Sequence, residues 1–593
     1  MARKKQSLLN GALVLVIAMG ITKVIGAIYK IPLTNVLGTI GRSYYSTAYN
    51  LFIPIYSIAL GGLPVAISKL VAQYAALERY NDVKRVFKVA KRVFVITGIV
   101  GIAAILIIAY PYCMSINRMD AIYAMYMVAP SIFFCCLMSA YKGYYNGLRN
   151  MTPSAVCEVI EAAVKLIFGL ALSKLVLVYA SNQAAETGFV FGTAVSNEME
   201  IIDAAAPYSA AAAIVGVTLG TVFATLYISL RLKIKGDGIT KEEIALSPAP
   251  DSTKEIRSAI FRIAIPVVVS TLIFNITNLI DSWTLLYRLK TAVASDPEVI
   301  MNMFKSSIVD GGYENDTELW AGFLHGAYEI AVDFKNMIPT LTTVLGISAI
   351  PVLSEAWTLK NHENTKMSIE SVIRMCLMIA FPAGFGMAVL GKPILTLLYG
   401  DLSSNDISAK VMVGYGVTVF IIAISQPITN MLQTIGKANV TVKSIAIGAL
   451  FKIIVNFILI GIPQINIFGA IIGTACCYFV ASAINLVVLL RTTRVKISFT
   501  KSIFKPFICS VLCAAAAYVV YEFLNPRLIE MDSLQLASRI NGSTISAMIA
   551  IIAAVVVYVI SLLVTKTILE SDILMLPKGE KIAKLLNKIK VLG

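Results

Sequence analysis

The residues of this chain that could do chemistry are ionisable side chains inside long apolar stretches. Glu158, Glu161 and Lys165 occupy positions i, i+3 and i+7, which share one face of a helix. Glu161 and Lys165 also form a well-oriented i, i+4 pair. An ionisable residue within a membrane helix costs about 2.5–3.5 kcal/mol on insertion scales, so it indicates a cavity or a pathway. A mutually satisfied structural pair is the alternative interpretation.

Two other apolar stretches contain lysines far from their ends. Lys23 lies too far inside the stretch 8–29 to anchor its start, although snorkelling toward the far interface would also explain it. Lys452 and Asn456 form an i, i+4 polar stripe in a later stretch. A lysine ammonium is a compact donor for phosphate oxygens. Lysines that converge on a wet cavity would therefore suit an anionic or zwitterionic amphiphile.

A third polar row consists of Asn275, Asn278 and Asp281, at i, i+3 and i+6 on one helix face. These side chains would line a cavity, accept hydrogen bonds from a sugar or bind a cation. Hydrogen bonding between helices is the alternative interpretation.

Several kinds of chemistry lack their motifs. There is no G-x-x-x-x-G-K-[ST] to hold ATP phosphates, and the nine cysteines and two histidines, His325 and His362, form no zinc-ligand pattern. No long polar stretch would house a catalytic domain. We therefore expect no enzyme and no cofactor. A membrane polymerase or transferase with essential loop acids such as Asp316 or Glu318 is the weaker alternative.

The elements that position these residues are predicted membrane helices. Of the 593 residues, 58% are hydrophobic and 14% charged, and the mean hydropathy is +0.80; soluble chains are about 45–50% apolar and about 25% charged. A helix needs ~20 apolar residues to cross a bilayer. The sequence predicts an all-α membrane protein with about fourteen spans, of which the eighth contains Glu329, Asp333 and Lys335. The spans are 8–29, 44–68, 93–111, 121–141, 154–176, 208–230, 258–281, 322–352, 370–391, 411–433, 441–462, 466–490, 506–524 and 545–567.

The distribution of positive charge predicts the orientation. Basic residues are densest from Lys69 to Arg92, whereas the loop 177–207 contains acids and no Lys or Arg. Because cytoplasmic loops are enriched in Lys and Arg, we expect both termini in the cytoplasm and the protein in the cytoplasmic membrane. Most of the net charge of +16 then reflects orientation, and nucleic acid is not an expected partner. The tail 571–593 is predicted to be either a basic amphipathic helix on the inner leaflet or a solvated basic segment.

Two weak internal sequence repeats predict a duplicated architecture. Leu60 to Val65 and Leu345 to Val352 share Leu-Gly and Pro-Val, and the run from Gly147 to Thr152 resembles that from Gly436 to Thr441. Transporters place their sites between such repeats. We predict lobes at 1–235 and 258–496, a linker at 236–257 and two further helices within 497–570. Glycine and proline weaken a helix locally, so the predicted hinges are Gly61, Gly62, Pro64 and Pro351.

Four short motifs carry a resemblance to a known family. Together they resemble the polysaccharide biosynthesis and stage V sporulation protein B group of the MATE-like flippase superfamily, which also includes lipid II flippases. The motifs are Tyr144-Tyr145-Asn146-Gly147 with Asn150-Met151-Thr152-Pro153, Asn278 to Ser282, Phe381-Pro382-Ala383-Gly384, and Leu432 to Lys437 followed by Gly448 to Lys452 and Asn456.

The resemblance implies two lobes around a central cavity that opens alternately to each side of the membrane. Its expected substrates are undecaprenyl-pyrophosphate-linked sugars such as lipid II, moved without covalent chemistry by a membrane potential or a coupling ion. Lys23, Lys165 and Lys452 would neutralise the pyrophosphate. Thr22-Lys23-Val24-Ile25-Gly26 is similar to the Ser-Arg-x-x-Gly of lipid II flippases, while two arginines of those proteins correspond to Ser57 and Ile58.

A cation-coupled multidrug antiporter of the MATE type is the other transport hypothesis. It would couple through Glu158, Glu161 or Asp281 and would confer resistance to organic cations.

Overall fold

Helices make up nearly all of the computed structural model, which describes residues 8–60, 62–530, 542–570 and 572. A two-stranded hairpin, β1 (Phe189–Val190) and β2 (Thr193–Ala194), pairs Phe189 with Ala194. A π-helical turn, Thr500–Phe504, precedes α16. The helices are α1 (Leu8–Leu60), α2 (Gly62–Ala76), α3 (Tyr80–Ser115), α4 (Ala121–Gly147), α5 (Thr152–Thr187), α6 (Glu198–Lys235), α7 (Lys241–Leu246), α8 (Thr253–Ser295), α9 (Pro297–Asp310), α10 (Thr317–Ser348), α11 (Ile350–Thr358), α12 (His362–Tyr399), α13 (Asn405–Thr434), α14 (Ala438–Leu459), α15 (Phe468–Thr493), α16 (Lys505–Glu530) and α17 (Gly542–Val564).

The chain divides into two compact units. Unit 1 runs from Met1 to Trp283 and unit 2 from Thr284 to Gly593, so the boundary falls within α8. The predicted linker 236–257 lies in unit 1. The lobe limits inferred from the internal sequence repeats stay a prediction. The amphipathic tail also stays a prediction, because its lysines from Lys578 onward lie outside the described residues.

Ten helical stretches of the described residues are long and apolar enough to cross a membrane. They lie on α1, α3, α4, α6 and α12 to α17. The other predicted spans fall on α5, α8 and α10. The all-helical membrane architecture agrees with the sequence prediction, and the number fourteen stays a prediction.

The first two predicted spans lie largely on one long element, because α1 continues through a bend. Gly38 has φ 63° and ψ −178° inside α1. A Cβ at this position would lie 2.9 Å from Ile202 Cγ2. Glycine therefore satisfies two requirements here, a positive φ and a close approach of α6.

Helix α14 has the distribution of polar and apolar side chains that is expected of a helix with one face toward lipid. Its buried face is mostly polar, at spacings of three and four residues, whereas large apolar side chains are exposed. Because lipid tails are as apolar as leucine, such exposure is favourable in a bilayer. The buried positions are Thr441, Ser444, Gly448, Lys452 and Asn456, and the exposed ones include Ile447, Leu450, Phe451, Ile454, Phe457 and Ile458.

The segment 236–252 is held against the α2–α3 connection of the same unit. Arg79 forms ion pairs with Asp82, at 2.8 Å, and with Asp251. The amide of Asp251 donates to Asp82 Oδ1 at 2.6 Å. Further along the segment, Asp237 accepts from both Lys84 and Tyr144. We refer to these contacts as the linker contacts.

Candidate functional site

A row of aromatic rings follows α1 after its bend. Tyr45, Tyr49, Phe52 and Tyr56 are spaced by three or four residues, so they share one helix face. Consecutive ring centroids are 5.8, 5.9 and 4.8 Å apart. Tyr29, from the other side of the bend, lies 6.5 Å from Tyr45. The bend at Gly38 thus lets two parts of one helix contribute to a continuous aromatic surface.

The charged face of α5 packs against this surface. Lys165 Nζ lies 5.2 Å from the ring centroid of Tyr29 and 4.7 Å from that of Tyr49. Both distances are within the range of a cation–π interaction. One turn further on, a Cβ at Gly169 would lie 2.7 Å from Tyr29 Oη. The glycine therefore makes room for the ring that contacts the lysine.

The two glutamates of α5 also have partners on other helices. Tyr56 Oη donates to Glu161 Oε1 at 3.3 Å. Lys142 Nζ, from α4, donates to Glu158 Oε1 at 3.4 Å, and Lys142 is buried. Glu161 and Lys165 interact electrostatically, although no contact within 4 Å joins them among the ion pairs of the described residues, and both glutamates also contact other helices. We call Tyr29, Tyr49, Tyr56, Lys142, Glu158, Glu161 and Lys165 the aromatic–charged cluster.

Lys142 is a residue that the sequence analysis missed. The predicted fourth span ended at residue 141, whereas α4 continues to Gly147. A signal was present: Lys142 and Glu158 lie equally far from Asn150, in the turn between α4 and α5. In two antiparallel helices joined by a short turn, residues equidistant from the turn come together.

The other predicted residues of unit 1 lie on α1 and α8. Lys23 is exposed on α1, before the bend. Asn275 Nδ2 donates to the Thr271 carbonyl within α8, at 2.9 Å. Asp281 is half-buried on the same helix, and the side chain of Asn278 lies outside the described residues. Binding roles for these residues remain predictions.

In unit 2, Lys452 and Asn456 are buried together on α14, at 6% and 0% exposure. A Cβ at Gly473 of α15 would lie 1.9 Å from Asn456 Oδ1. The glycine therefore permits the close approach of α15 to this polar face. Next to it, Ser444 donates to Asn485 Oδ1 at 2.7 Å. The stripe predicted from the sequence is thus part of a polar helix interface within unit 2.

The predicted hinge residues of the described chain lie on α2 and α11. Gly62 and Pro64 belong to α2. Pro351 is in the first turn of α11. Gly61 lies outside the described residues. Bending at these points stays a prediction.

Comparison with known proteins assigns the family. A family model described as "Polysaccharide biosynthesis protein" matches residues 8–357, which is more than half of the chain. The chain belongs to this family. A second model, "Lipid II flippase MurJ", matches residues 340–531. The resemblance drawn from the sequence motifs is confirmed.

Two curated relatives of this family member come from Bacillus subtilis (strain 168). Lipid II flippase MurJ is 25% identical over 495 residues, which cover 82% of each chain. Stage V sporulation protein B is 23% identical over 578 residues, covering 97% of this chain and 98% of that protein. Both relatives are therefore matched over most of their length.

Similarity to solved structures shows the fold of this chain. A structure titled "Lipid II flippase MurJ, inward closed conformation" matches with a TM-score of 0.60 at 13% identity, covering 93% of this chain and 98% of that chain. An inward-facing MATE multidrug resistance transporter matches with a TM-score of 0.57 at 15% identity, covering 81% and 98%. The chain therefore has the MATE-like flippase fold. With this fold and ten described helical stretches long and apolar enough to cross a bilayer, it is a multi-pass membrane protein.

Proposed function

We propose that this protein moves undecaprenyl-pyrophosphate-linked sugars from the inner to the outer leaflet of the bacterial cytoplasmic membrane. The observation that carries the proposal is the placement of Lys165 between the rings of Tyr29 and Tyr49, on helices of a membrane protein. A headgroup of this class combines a pyrophosphate with sugar rings. It needs cations and flat aromatic surfaces in one place.

Each part of the aromatic–charged cluster suits one part of that headgroup. Lys165 and Lys142 supply ammonium donors for phosphate oxygens. Tyrosine rings offer apolar faces for sugar rings and hydroxyls for hydrogen bonds. Glu158 and Glu161 accept hydrogen bonds from sugar hydroxyls. The prenyl chain stays in the lipid, since its transfer into a polar site would be unfavourable.

The residues outside the cluster keep the roles that their types predict. Lys23, in unit 1, and Lys452, in unit 2, are each proposed as phosphate ligands. Asn275, Asn278, Asp281 and Asn456 are hydrogen-bonding groups for the sugar. Gly62, Pro64 and Pro351 are proposed to supply the bending that alternating access requires. The similarity to the lipid II flippase of Bacillus subtilis supports lipid II as the first substrate to test.

A cation-coupled multidrug antiporter is the second candidate function. The contact of Glu161 with Tyr56, at 3.3 Å, favours it, because a carboxylate beside aromatic rings also suits an organic cation. This candidate predicts resistance to organic cations in cells that express the protein. The flippase proposal predicts no such resistance.

The test is complementation of a bacterium whose own lipid II flippase can be shut off. Growth and outer-leaflet lipid II are measured for the wild type, Lys165→Ala and Lys174→Ala. Lys174 is an exposed lysine on the same helix, so it is the matched control. Rescue by the wild type and by Lys174→Ala, but not by Lys165→Ala, supports the proposal.

Failure of the well-inserted wild type would exclude lipid II, and the assay would then be repeated with other prenyl-linked sugars. Unchanged transport in Lys23→Ala would remove that residue from the site. Resistance to organic cations without any lipid transport would favour the antiporter instead.

A further inference from the structure

Helix α10 contains a stretch that is buried on all sides. Every residue from Trp320 to Ala331 is buried. Two members of this stretch are ionisable, His325 at 0% and Glu329 at 9% exposure. A helix buried all round is normally apolar. Ionisable groups at such a position are costly, so they indicate a function.

The two groups face each other. They are one helical turn apart, and His325 Nε2 lies 3.6 Å from Glu329 Oε1. With a proton on the imidazole, the pair is a cation beside a carboxylate and has no net charge. Without that proton, a buried carboxylate faces a neutral imidazole. Gain or loss of this proton therefore changes the net charge that is buried in this part of α10.

The surroundings of the pair are defined by α13 and α12. Ser408 Oγ donates to the Ala327 carbonyl at 2.9 Å and ties α13 to this part of α10. Tyr328 Oη lies 2.6 Å from Tyr415 Oη, and Phe334 packs against Tyr399 of α12. The titratable and charged groups on these elements near α10 are Tyr328, Asp333, Lys335, Asp406, Lys410, Tyr415 and Tyr399.

Most of these neighbouring groups are engaged elsewhere. Lys335 lies 5.0 Å from the ring centroid of Tyr415. Asp406 forms an ion pair with Lys392 at 2.6 Å, and Lys410 donates to the Met303 carbonyl. His325 and Glu329 themselves lie within ion-pair distance of one another, at 3.6 Å.

We propose that His325 and Glu329 form a proton-binding site, and that its loading and unloading is coupled to the transport cycle. The inference rests on the proposed transport function for its coupling step, whereas proton binding itself does not. The proton passes between solvent water and the imidazole nitrogen. Exchange requires water to reach α10, so it occurs only when the packing around α10 opens. Histidine suits this role because its ordinary pKa lies near physiological pH.

The first experiment measures proton binding without transport. The chain contains two histidines, and the other, His362, is exposed. Selective labelling with 15N-histidine therefore gives one buried and one exposed signal, which His362→Gln assigns. We expect the His325 signal to report a change of protonation state between about pH 5 and pH 9, and Glu329→Gln to shift that transition. A His325 signal that stays constant over this range would overturn the proposal.

The second experiment measures coupling. Proteoliposomes containing lipid II are given an inside–outside pH difference while the membrane potential is held at zero. We expect the gradient to accelerate wild-type and His362→Gln transport several-fold, and the acceleration to be lost in His325→Gln and Glu329→Gln. A wild-type transport rate that does not depend on the pH gradient would refute the coupling. Equal acceleration in all variants would also refute it. Absence of any lipid transport would instead count against the proposed function.

Discussion

Arg374 and Asp572 form a buried ion pair between α12 and the residues that follow α17. Both side chains are 2% exposed. Arg374 Nε lies 2.8 Å from Asp572 Oδ2, and a second guanidinium nitrogen contacts the other carboxylate oxygen. Bidentate contacts of this kind are among the strongest charge-assisted hydrogen bonds in proteins. The pair connects positions 198 residues apart in sequence and so ties the end of the chain to unit 2.

Removal of one partner should destabilise the protein strongly. Arg374→Met leaves the Asp572 carboxylate buried and unpaired, which typically costs about 3–5 kcal/mol. We expect a large drop in the thermal unfolding temperature of the purified protein in detergent. In the double variant Arg374→Met with Asp572→Leu, most of the loss should be recovered, since no buried charge remains. Equal stabilities of the single and double variants would contradict this account.

The Lys142–Glu158 contact should matter for transport more than for folding. Lys142→Met removes its hydrogen bond to Glu158 and one proposed phosphate donor, whose charge-assisted hydrogen bond to the substrate would contribute about 1.5–3 kcal/mol. We expect transport to fall about tenfold or more, because 1.4 kcal/mol corresponds to a factor of ten. The measurement is the lipid II assay in proteoliposomes, with protein amounts matched by immunoblot. Lys142→Arg keeps the charge and should keep most of the rate. Full activity of Lys142→Met would remove the residue from the site.

The linker contacts should weaken in acid. Hydrogen bonds from Tyr74 and Arg79 lower the pKa of Asp251 below its ordinary value. A carboxyl whose pKa is lowered by folding contributes stability above its unfolded pKa of about 3.9. That contribution is lost as the pH falls through the lowered folded value. We expect amide hydrogen exchange in the segment 236–252 to rise below about pH 4, after correction for the intrinsic pH dependence of exchange.

Asp251→Asn provides the matching test at neutral pH. It removes the charge while keeping the shape, so exchange in the segment 236–252 should increase at pH 7. The hairpin of β1 and β2, elsewhere in unit 1, is the internal control and should not change. If the variant and the wild type exchange alike at pH 7, the Asp251 charge does not hold the segment.

Gly473 should be intolerant of a side chain. A Cβ there would lie 1.9 Å from Asn456 Oδ1, so Gly473→Ala must displace the buried Asn456 side chain or the helix that carries it. Overpacking of this kind costs about 1–3 kcal/mol. Asn456→Ala in the same chain removes the clash, so the double variant should be more stable than the two separate effects predict. Gly386→Ala is the control, because its added Cβ would meet nothing within 4 Å. Additive effects of the two substitutions would show that the clash is absent.

The sequence by itself determined the class of protein and the location of its polar residues. Low charge and long apolar runs require a bilayer, because such a chain lacks the polar surface for water. Helical periodicity placed Glu158, Glu161 and Lys165 on one face of α5. The motifs from Tyr144 to Pro153 and from Leu432 to Asn456 identified the family. All of these features are local, within a few helical turns, and local periodicity predicts them.

The tertiary structure decided which side chains meet. The sequence predicted Glu161 as a partner of Lys165, and the structure adds the rings of Tyr29 and Tyr49, because the bend at Gly38 carries two parts of α1 to α5. Arg374 and Asp572 are 198 residues apart in sequence, and no sequence spacing encodes that contact. Helix packing and backbone bends bring distant positions together through van der Waals fit and the need to pair buried charges. These requirements belong to the assembled fold, which is why the sequence predicted the helices but not their partners.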